Sequence, residues 1–90
     1  MKEVNEMAKL DLTLTNNYMK LNIIALVGDN ALLARLNDNS FVVANGLKIN
    51  EDLTCTWAFA YGYYESYDRA FACFNEKVLK DFQEYAEVIS

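Results

Sequence analysis

Residues 56–77, TWAFAYGYYESYDRAFACFNEK, crowd aromatic side chains around a single glycine and then change into a helical pattern. Up to Gly62, large apolar side chains alternate with small or polar ones, which is the period-two pattern of a β-strand. After Ser66, apolar side chains recur at steps of three and four residues, which indicates an amphipathic helix. The stretch therefore predicts a strand whose tyrosine-rich end turns directly into a helix.

The helix is predicted over about residues 66–88. Ser66 or Glu65 can cap its first amides, and Asp68 suits the positive end of the helix dipole. Its apolar stripe comprises Tyr67, Ala70, Phe71, Phe74, Val78, Phe82, Tyr85 and Ile89. Large rings each remove roughly 150–250 Å² from water, so we expect strand and helix to share an aromatic core. The rings expected there are Trp57, Phe59, Phe71, Phe74 and Phe82.

A second strand is predicted upstream, at Phe41-Val42-Val43-Ala44. Turn-forming residues follow it, namely Asn45-Gly46 and the polar run 48–52. The economical interpretation is an antiparallel hairpin of 41–49 with 53–63. Because an isolated hairpin is marginally stable in water, helices or further strands must cover it.

Residues 18–37 fit two patterns. The spacing of their apolar residues predicts two short N-terminal helices, separated at Gly28-Asp29. The alternative is another hairpin, 20–27 with 31–36, since this segment also contains β-branched residues. Before it, the alternation of Leu10, Leu12 and Leu14 suggests a short strand. The predicted fold class is α+β: a small antiparallel sheet packed against a long C-terminal helix.

Length and composition indicate one folded domain, residues 1–90, with 53% hydrophobic and 23% charged residues. The longest apolar run, 23–28, is far shorter than the ~20 residues that span a bilayer. The polar start, residues 1–6, is unlike a secretory signal. We therefore expect a cytoplasmic protein with no membrane partner.

The chain has no histidine, and its two cysteines, Cys55 and Cys73, lack the spacing of a metal site. We expect both thiols to be reduced, and we expect neither a metal nor a cofactor. Because histidine is the commonest acid, base and metal ligand near neutral pH, its absence also argues against an enzyme. No nucleophile elbow or phosphate-binding glycine motif is present.

The net charge of −5 lies entirely in the last 40 residues, where eight acids face three bases. Binding to nucleic acid depends on Lys and Arg that neutralise phosphates. The charge pattern therefore disfavours direct binding of DNA or RNA and favours a basic protein partner, such as a nucleic-acid-processing enzyme.

The tyrosines at the predicted corner between strand and helix cannot all point inward. They can pack over the end of the sheet, or they can form an interface, because Tyr and Trp are enriched among binding hot spots. Likewise, the helix acids can be a solvated face or can steer a basic partner. The predicted partner-binding residues are Tyr61, Tyr63, Tyr64, Glu65, Tyr67, Asp68 and Glu76.

The runs FVVANGLKIN (41–50) and TWAFAYGYYESYDRAFACFNEKVL (56–79) carry a family-level likeness. Together they resemble small accessory proteins of phages and mobile elements from low-GC Gram-positive bacteria. The shared pattern is a VVA-like strand, an aromatic-Gly-Tyr-Tyr corner and a helix with Ala and then Phe on its inner face. This resemblance implies an anti-defence role, including that of anti-CRISPR proteins, inside a bacterial host.

The resulting hypothesis is a non-enzymatic protein-binding module that inhibits a host defence nuclease through an acidic, tyrosine-rich surface. The alternative is a small structural homo-oligomer whose hairpin pairs with that of a second copy. A third class, an enzyme that uses carboxylate or tyrosine chemistry, would require a deep pocket.

Overall fold

The structure, a computed structural model, describes residues 12–89 and the side chains as far as Gln83. It is an α+β fold in which seven strands precede one long helix. The strands are β1 (Thr13–Asn16), β2 (Met19–Val27), β3 (Asn30–Arg35), β4 (Ser40–Asn45), β5 (Lys48–Ile49), β6 (Cys55–Thr56) and β7 (Phe59–Tyr64). The helix, α1, spans Tyr67–Ile89, which confirms the predicted C-terminal helix.

Five strands form one antiparallel sheet in the order β1-β2-β3-β4-β7. The first four follow one another through tight turns. The chain then leaves the sheet, forms the separate two-stranded hairpin β5–β6, and returns to pair β7 with β4. This excursion places a layer on one face of the sheet before the helix begins on the other.

The two central strands are buried on both faces. Consecutive residues of β3 and of β4 have no exposed surface, irrespective of the face to which they point: Ala31, Leu32, Leu33, Val42, Val43 and Ala44. A strand that is covered on both sides becomes a continuous apolar run instead of an alternating one. The sheet therefore needs a covering layer on each face.

The β5–β6 hairpin covers the first face. Cys55 is buried there with Leu14, Leu21 and Leu33, and Trp57 packs at the margin of this cluster. The same excursion closes the outer edge of β1, because the Thr15 amide donates to the Leu53 carbonyl at 2.9 Å. One edge of the main sheet is thus protected by the chain itself.

Helix α1 covers the second face over β3, β4 and β7. Ala70 and Phe74 are buried against Leu32 and Val43, with Cys73 and Val78 at the margin. The two cysteines are free, as expected, and they lie in clusters on opposite faces of the sheet. In the part of the chain that the structure describes, no helix is both long enough and apolar enough to cross a membrane.

The prediction of two short helices within residues 18–37 is wrong, and the alternative hairpin is what forms. β2 and β3 are joined by a two-residue turn, with Gly28 at a φ of +58°. A β-bulge between Ile23 and Ala25 shifts the register of β2. The bulge sets Ile24 and Ala25 against the same cluster, which breaks the alternation and imitates helical spacing. Of the predicted strand at Leu10, Leu12 and Leu14, only Leu14 lies in an observed strand, β1. Leu10 lies outside the described residues.

The predicted pairing of 41–49 with 53–63 is correct only for β4 with β7. Lys48–Ile49 and Cys55–Thr56 instead pair with each other. A positive φ at Gly46 (79°) turns the chain out of the main sheet after β4, and a positive φ at Leu53 (69°) lies in the turn that joins β5 to β6. The alternating pattern of residues 53–63 predicts one long strand. The structure instead has two strands there, β6 and β7, which belong to different sheets.

The predicted aromatic core is also wrong, since only Phe74 of its five rings is buried. Trp57 packs on the opposite face from Phe74, and Phe59, Phe71 and Phe82 are 51%, 45% and 69% exposed. Aliphatic side chains of the sheet fill the interior instead. As a result, most of the large rings lie at the surface.

Gly62 explains why one glycine stands among so many rings. A Cβ at this position would lie 2.7–2.9 Å from the Tyr64 hydroxyl and ring. Residues 62 and 64 are on the same side of β7, and the Tyr64 ring lies back over the glycine. β7 is also bulged here, at the register shift between Val43 and Ala44. Gly62 thus provides the space in which Tyr64 packs beneath the helix.

A polar network links the sheet to the helix at the opposite end of β7. Asn30 is 1% exposed and its amide donates to an Asp81 carboxylate oxygen at 2.8 Å. Its carbonyl oxygen accepts from the Tyr61 hydroxyl at 3.0 Å and from Asn45 at 3.3 Å. Because buried polar groups are costly when unpaired, this network fixes where α1 docks.

Replacing Gly62 with alanine is expected to lower the free energy of unfolding by about 1–3 kcal/mol, the usual cost of overpacking. The new methyl group would displace Tyr64. In a Tyr64→Leu background the same change should cost much less, since the space above residue 62 is then partly vacant. Urea denaturation of the parent, the two single variants and the double variant measures the coupling energy between residues 62 and 64. An equal loss of unfolding free energy in both backgrounds would contradict the packing described.

Asn30→Ala is expected to destabilise the fold by about 1–3 kcal/mol, because Tyr61, Asn45 and Asp81 each lose a partner in a partly buried site. Asn75→Ala, on an exposed position of α1, is the matched control and should change stability little. Thermal or urea unfolding compares the two. Equal effects would show that the network does not anchor the helix.

Acid should weaken the fold partly through Asp38. A hydrogen bond from the Ser40 hydroxyl at 2.6 Å, assisted by Arg35 at 3.6 Å, holds the pKa of this carboxyl below its ordinary value of 3.8. Its contribution to stability is therefore complete above pH 3.8 and is lost as the pH falls through the lower folded pKa. We expect Asp38→Asn and Ser40→Ala to flatten the acid limb of a stability–pH profile. A limb as steep as that of the parent protein in both variants would exclude this linkage.

Candidate protein-binding surface

The corner between β7 and α1 is built by a single tight connection. Glu65 and Ser66 separate the last strand from the helix, and the Ser66 hydroxyl accepts the Arg69 amide at 3.4 Å. Ser66 is thus the N-cap of α1. Asp68 lies in the first turn, where the helix dipole favours an anion. The cap fixes the direction in which the following side chains leave the helix.

The bulge in β7 interrupts its alternation and separates the predicted tyrosines. Tyr61 and Tyr64 point to the helix face and are half-buried, whereas Tyr63 points to the opposite face and is 54% exposed. Tyr61 belongs to the Asn30 network and lies under Lys77, whose Nζ is 5.0 Å from the ring centroid. These two tyrosines therefore serve mainly in packing, and Tyr63 is the one that β7 presents to solvent.

Tyr64 is held by the helix as well as by Gly62. The neighbouring Cys73 thiol raises the pKa of the Tyr64 hydroxyl, with further contributions from burial and from the nearby Glu76 carboxylate. The phenol is therefore protonated at neutral pH. Its role is to close the seam between β7 and α1.

Four of the predicted residues are exposed within residues 63–68 and are here called the rim: Tyr63, Glu65, Tyr67 and Asp68. A shallow depression of about 290 Å³ lies at the rim, lined by Tyr63, Tyr64, Glu65, Ser66 and Arg69. Among residues 12–83, the salt bridge that forms is Arg35 with Asp38. The rim carboxylates thus remain without an ion pair in this part of the chain.

Glu76, the remaining predicted site residue, is exposed but lies eight residues beyond Asp68 along α1. Eight residues correspond to roughly 12 Å along a helix axis. Glu76 therefore stands apart from the rim, on the flank of the helix that approaches Tyr64.

Beside the rim lies a set of rings that we name the ring ladder, formed by Phe41, Tyr67 and Phe71. Phe41 meets Tyr67 edge to face, with centroids 5.6 Å apart. Tyr67 and Phe71 stack at 5.9 Å with planes 23° apart, and each is 45% exposed. Its helical spacing predicts Phe71 as a core residue, and the sequence predicts Phe41 only as part of a strand. The sequence pattern that could have indicated this cluster is the i,i+4 spacing of Tyr67 and Phe71. The contact with Phe41 depends on the strand register, which sets Phe41 opposite Tyr64.

A second apolar region lies at the far end of the helix. A groove of about 300 Å³ is lined there by Val27, Gly28, Asn30, Val78, Leu79, Asp81 and Phe82. Its aliphatic and aromatic side chains are partly exposed, and its two polar side chains are bonded to each other. The charged side chain of this groove is Asp81, which accepts a hydrogen bond from Asn30.

Catalytic groupings are scarce in the described part of the chain. No three side chains of the metal-binding types approach one another closely enough to hold an ion within it. A depression of about 400 Å³ beside Cys55 is otherwise lined by Thr and Asn residues. Burial raises the pKa of the Cys55 thiol, so this sulfur is not activated as a nucleophile.

No protein-family model matches the chain, and no curated protein or solved structure matches it either.

Proposed function

We propose that this chain is a non-enzymatic protein-binding module that captures a basic protein through the rim. The observation that carries the proposal is the pairing of two exposed tyrosines with two carboxylates that lack ion pairs among the described residues. Tyrosines provide rigid contact area at low entropic cost. Carboxylates accelerate encounter with a basic partner and lose this effect as salt rises.

The more specific form of the proposal is inhibition of a host defence nuclease by a phage or mobile-element protein, in the manner of an anti-CRISPR protein. A nuclease carries a basic channel for its nucleic acid, and an acidic chain with a net charge of −5 complements such a channel. Its place of action would be the cytoplasm of a bacterial host. The resemblance of residues 41–79 to small accessory proteins of that setting supports this form.

The absence of catalytic groupings from the described residues is compatible with a binding role. The depressions at the surface are shallow or lined by neutral side chains. The anchoring tyrosines of the rim also stand on regular secondary structure, next to a capped helix terminus. A rigid support of this kind limits the entropy that is lost on binding.

A homo-oligomer is the second candidate, favoured by the edge strand β7. β7 ends the sheet order and has no charged residue or proline, which are common defences of an exposed edge. Its bulge at Tyr61 opposes regular pairing. Light scattering over a dilution series separates the candidates, since edge pairing requires a mass that falls on dilution and a monomer at all concentrations excludes it.

The rim is tested by affinity capture from a bacterial lysate with Tyr63→Ala/Glu65→Lys as the variant bait. We expect the parent protein to retain a nucleic-acid-processing enzyme at low salt, and the variant to retain less than about a tenth as much, because it loses an anchor and reverses a charge. Phe82→Ala/Glu51→Lys changes an exposed ring and an exposed acid elsewhere, and it should capture the enzyme normally.

Circular dichroism establishes that all three baits are folded. Equal capture of the enzyme by the rim variant and the control variant would reject the rim. Failure of the parent protein to retain such an enzyme at low salt would reject the nuclease form of the proposal.

A further inference from the structure

The ring ladder is an exposed aromatic surface with an anion beside it. Tyr67 and Phe71 stack with nearly parallel planes and leave almost half of each ring to solvent. Phe41 fixes the ladder from below through an edge contact with Tyr67. Asp68 is exposed and lies three residues before Phe71, so the carboxylate and this ring are neighbours on the helix surface.

The ladder is not occupied by a cation of the described chain. Within residues 12–83, the cation that lies over a ring is Lys77, and its ring is Tyr61 on β7. Arg69, the basic residue next to Asp68 in sequence, lines the depression with Tyr63 and Glu65. The exposed parts of Tyr67 and Phe71 and the Asp68 carboxylate are thus not engaged by a cation of the described residues.

An arginine side chain combines the features that this surface can recognise. Its guanidinium is planar and weakly hydrated, so it stacks on aromatic faces, and its fork of N–H donors fits a carboxylate. A lysine ammonium can pair with the carboxylate, but it is strongly hydrated and lacks the planar face. Stacking and charge together therefore select arginine above lysine.

We propose that the ring ladder and Asp68 bind an arginine side chain of the partner protein. The guanidinium stacks on the face of Phe71 that is turned away from Tyr67, and its N–H groups donate to the Asp68 carboxylate. The inference rests on the proposed function, because it names the chemistry by which the rim's basic partner is recognised. It also gives a role to Phe41 and Phe71, which lie outside the rim.

The test uses two nonapeptides that each carry three basic residues separated by glycine and serine, arginine in one and lysine in the other. Titrations followed by NMR chemical shifts give both dissociation constants. The parent protein should bind the arginine peptide roughly threefold to fivefold more tightly, the preference expected of an exposed cation–π contact. The shifts should centre on residues 67–71.

Variants then assign the preference to its cause. Tyr67→Leu/Phe71→Leu, which keeps apolar bulk but removes the rings, should bind the two peptides equally. Asp68→Asn should weaken both peptides and reduce the salt dependence of binding. Phe82→Leu, an exposed ring at the other end of α1, should preserve the preference. Thermal unfolding checks that each variant is folded.

Equal affinity of the parent protein for the two peptides, no binding of either, or a preference that survives loss of both rings would overturn the arginine proposal. The outcome is separable from the rim test. If capture of the partner still depends on Tyr63 and Glu65, the proposed function stands while the arginine proposal falls. A ring-dependent preference for arginine, with capture indifferent to Tyr63 and Glu65, would reject the rim and retain the ladder.

Discussion

The fold depends on the burial of both faces of β3 and β4. Leu32, Leu33, Val42 and Val43 have no exposed surface, and each contributes about 1.5–3 kcal/mol when it is fully removed from water. Adjacent residues of one strand point in opposite directions, so no single layer can bury them. The chain therefore needs two covers, and among the described residues these are the β5–β6 excursion and helix α1.

The covering of the two sheet faces by separate segments decides where the aromatic residues lie. Aliphatic side chains already fill both sides of the central strands, so the helix seals its face with the small Ala70 and the single buried ring of Phe74. Tyr67 and Phe71 are left half-exposed on the helix, near the acids Glu65 and Asp68 of its capped terminus. Rings of this kind are suited to binding a partner, because they are rigid and lie close to charged groups. In the proposed function, binding and stability draw on different rings, so the rim can be mutated without removing the core.

Part of this structure was predictable from the sequence and part was not, for identifiable reasons. The helix and the β4–β7 pairing follow from local periodicity, and the free thiols follow from composition. The β2–β3 hairpin could be given only as the alternative to two helices, because a bulge at Ile24 and two-sided burial of 31–33 both destroy the alternation that marks a strand. The excursion at β5–β6 was missed because Leu53 adopts a positive φ, which no β-turn motif of its sequence announces. At the candidate binding surface, the position of the corner between β7 and α1 could be predicted from the sequence. Whether Tyr61, Tyr63 or Tyr64 faces solvent depends on the bulge in β7, and the exposure of Phe71 depends on how far the helix covers the sheet.

The two-cover arrangement can be observed directly by nuclear Overhauser effects from two aromatic rings. The account predicts that the Phe74 ring contacts the side chains of Leu32 and Val43, while the Trp57 ring contacts the group that contains Val42 and Ala44, with no cross-peak between the two rings. Contacts of both rings with one set of methyl groups would place them on the same face of the sheet. That result would contradict the two-sided burial on which the position of the helix, the ring ladder and the rim all depend.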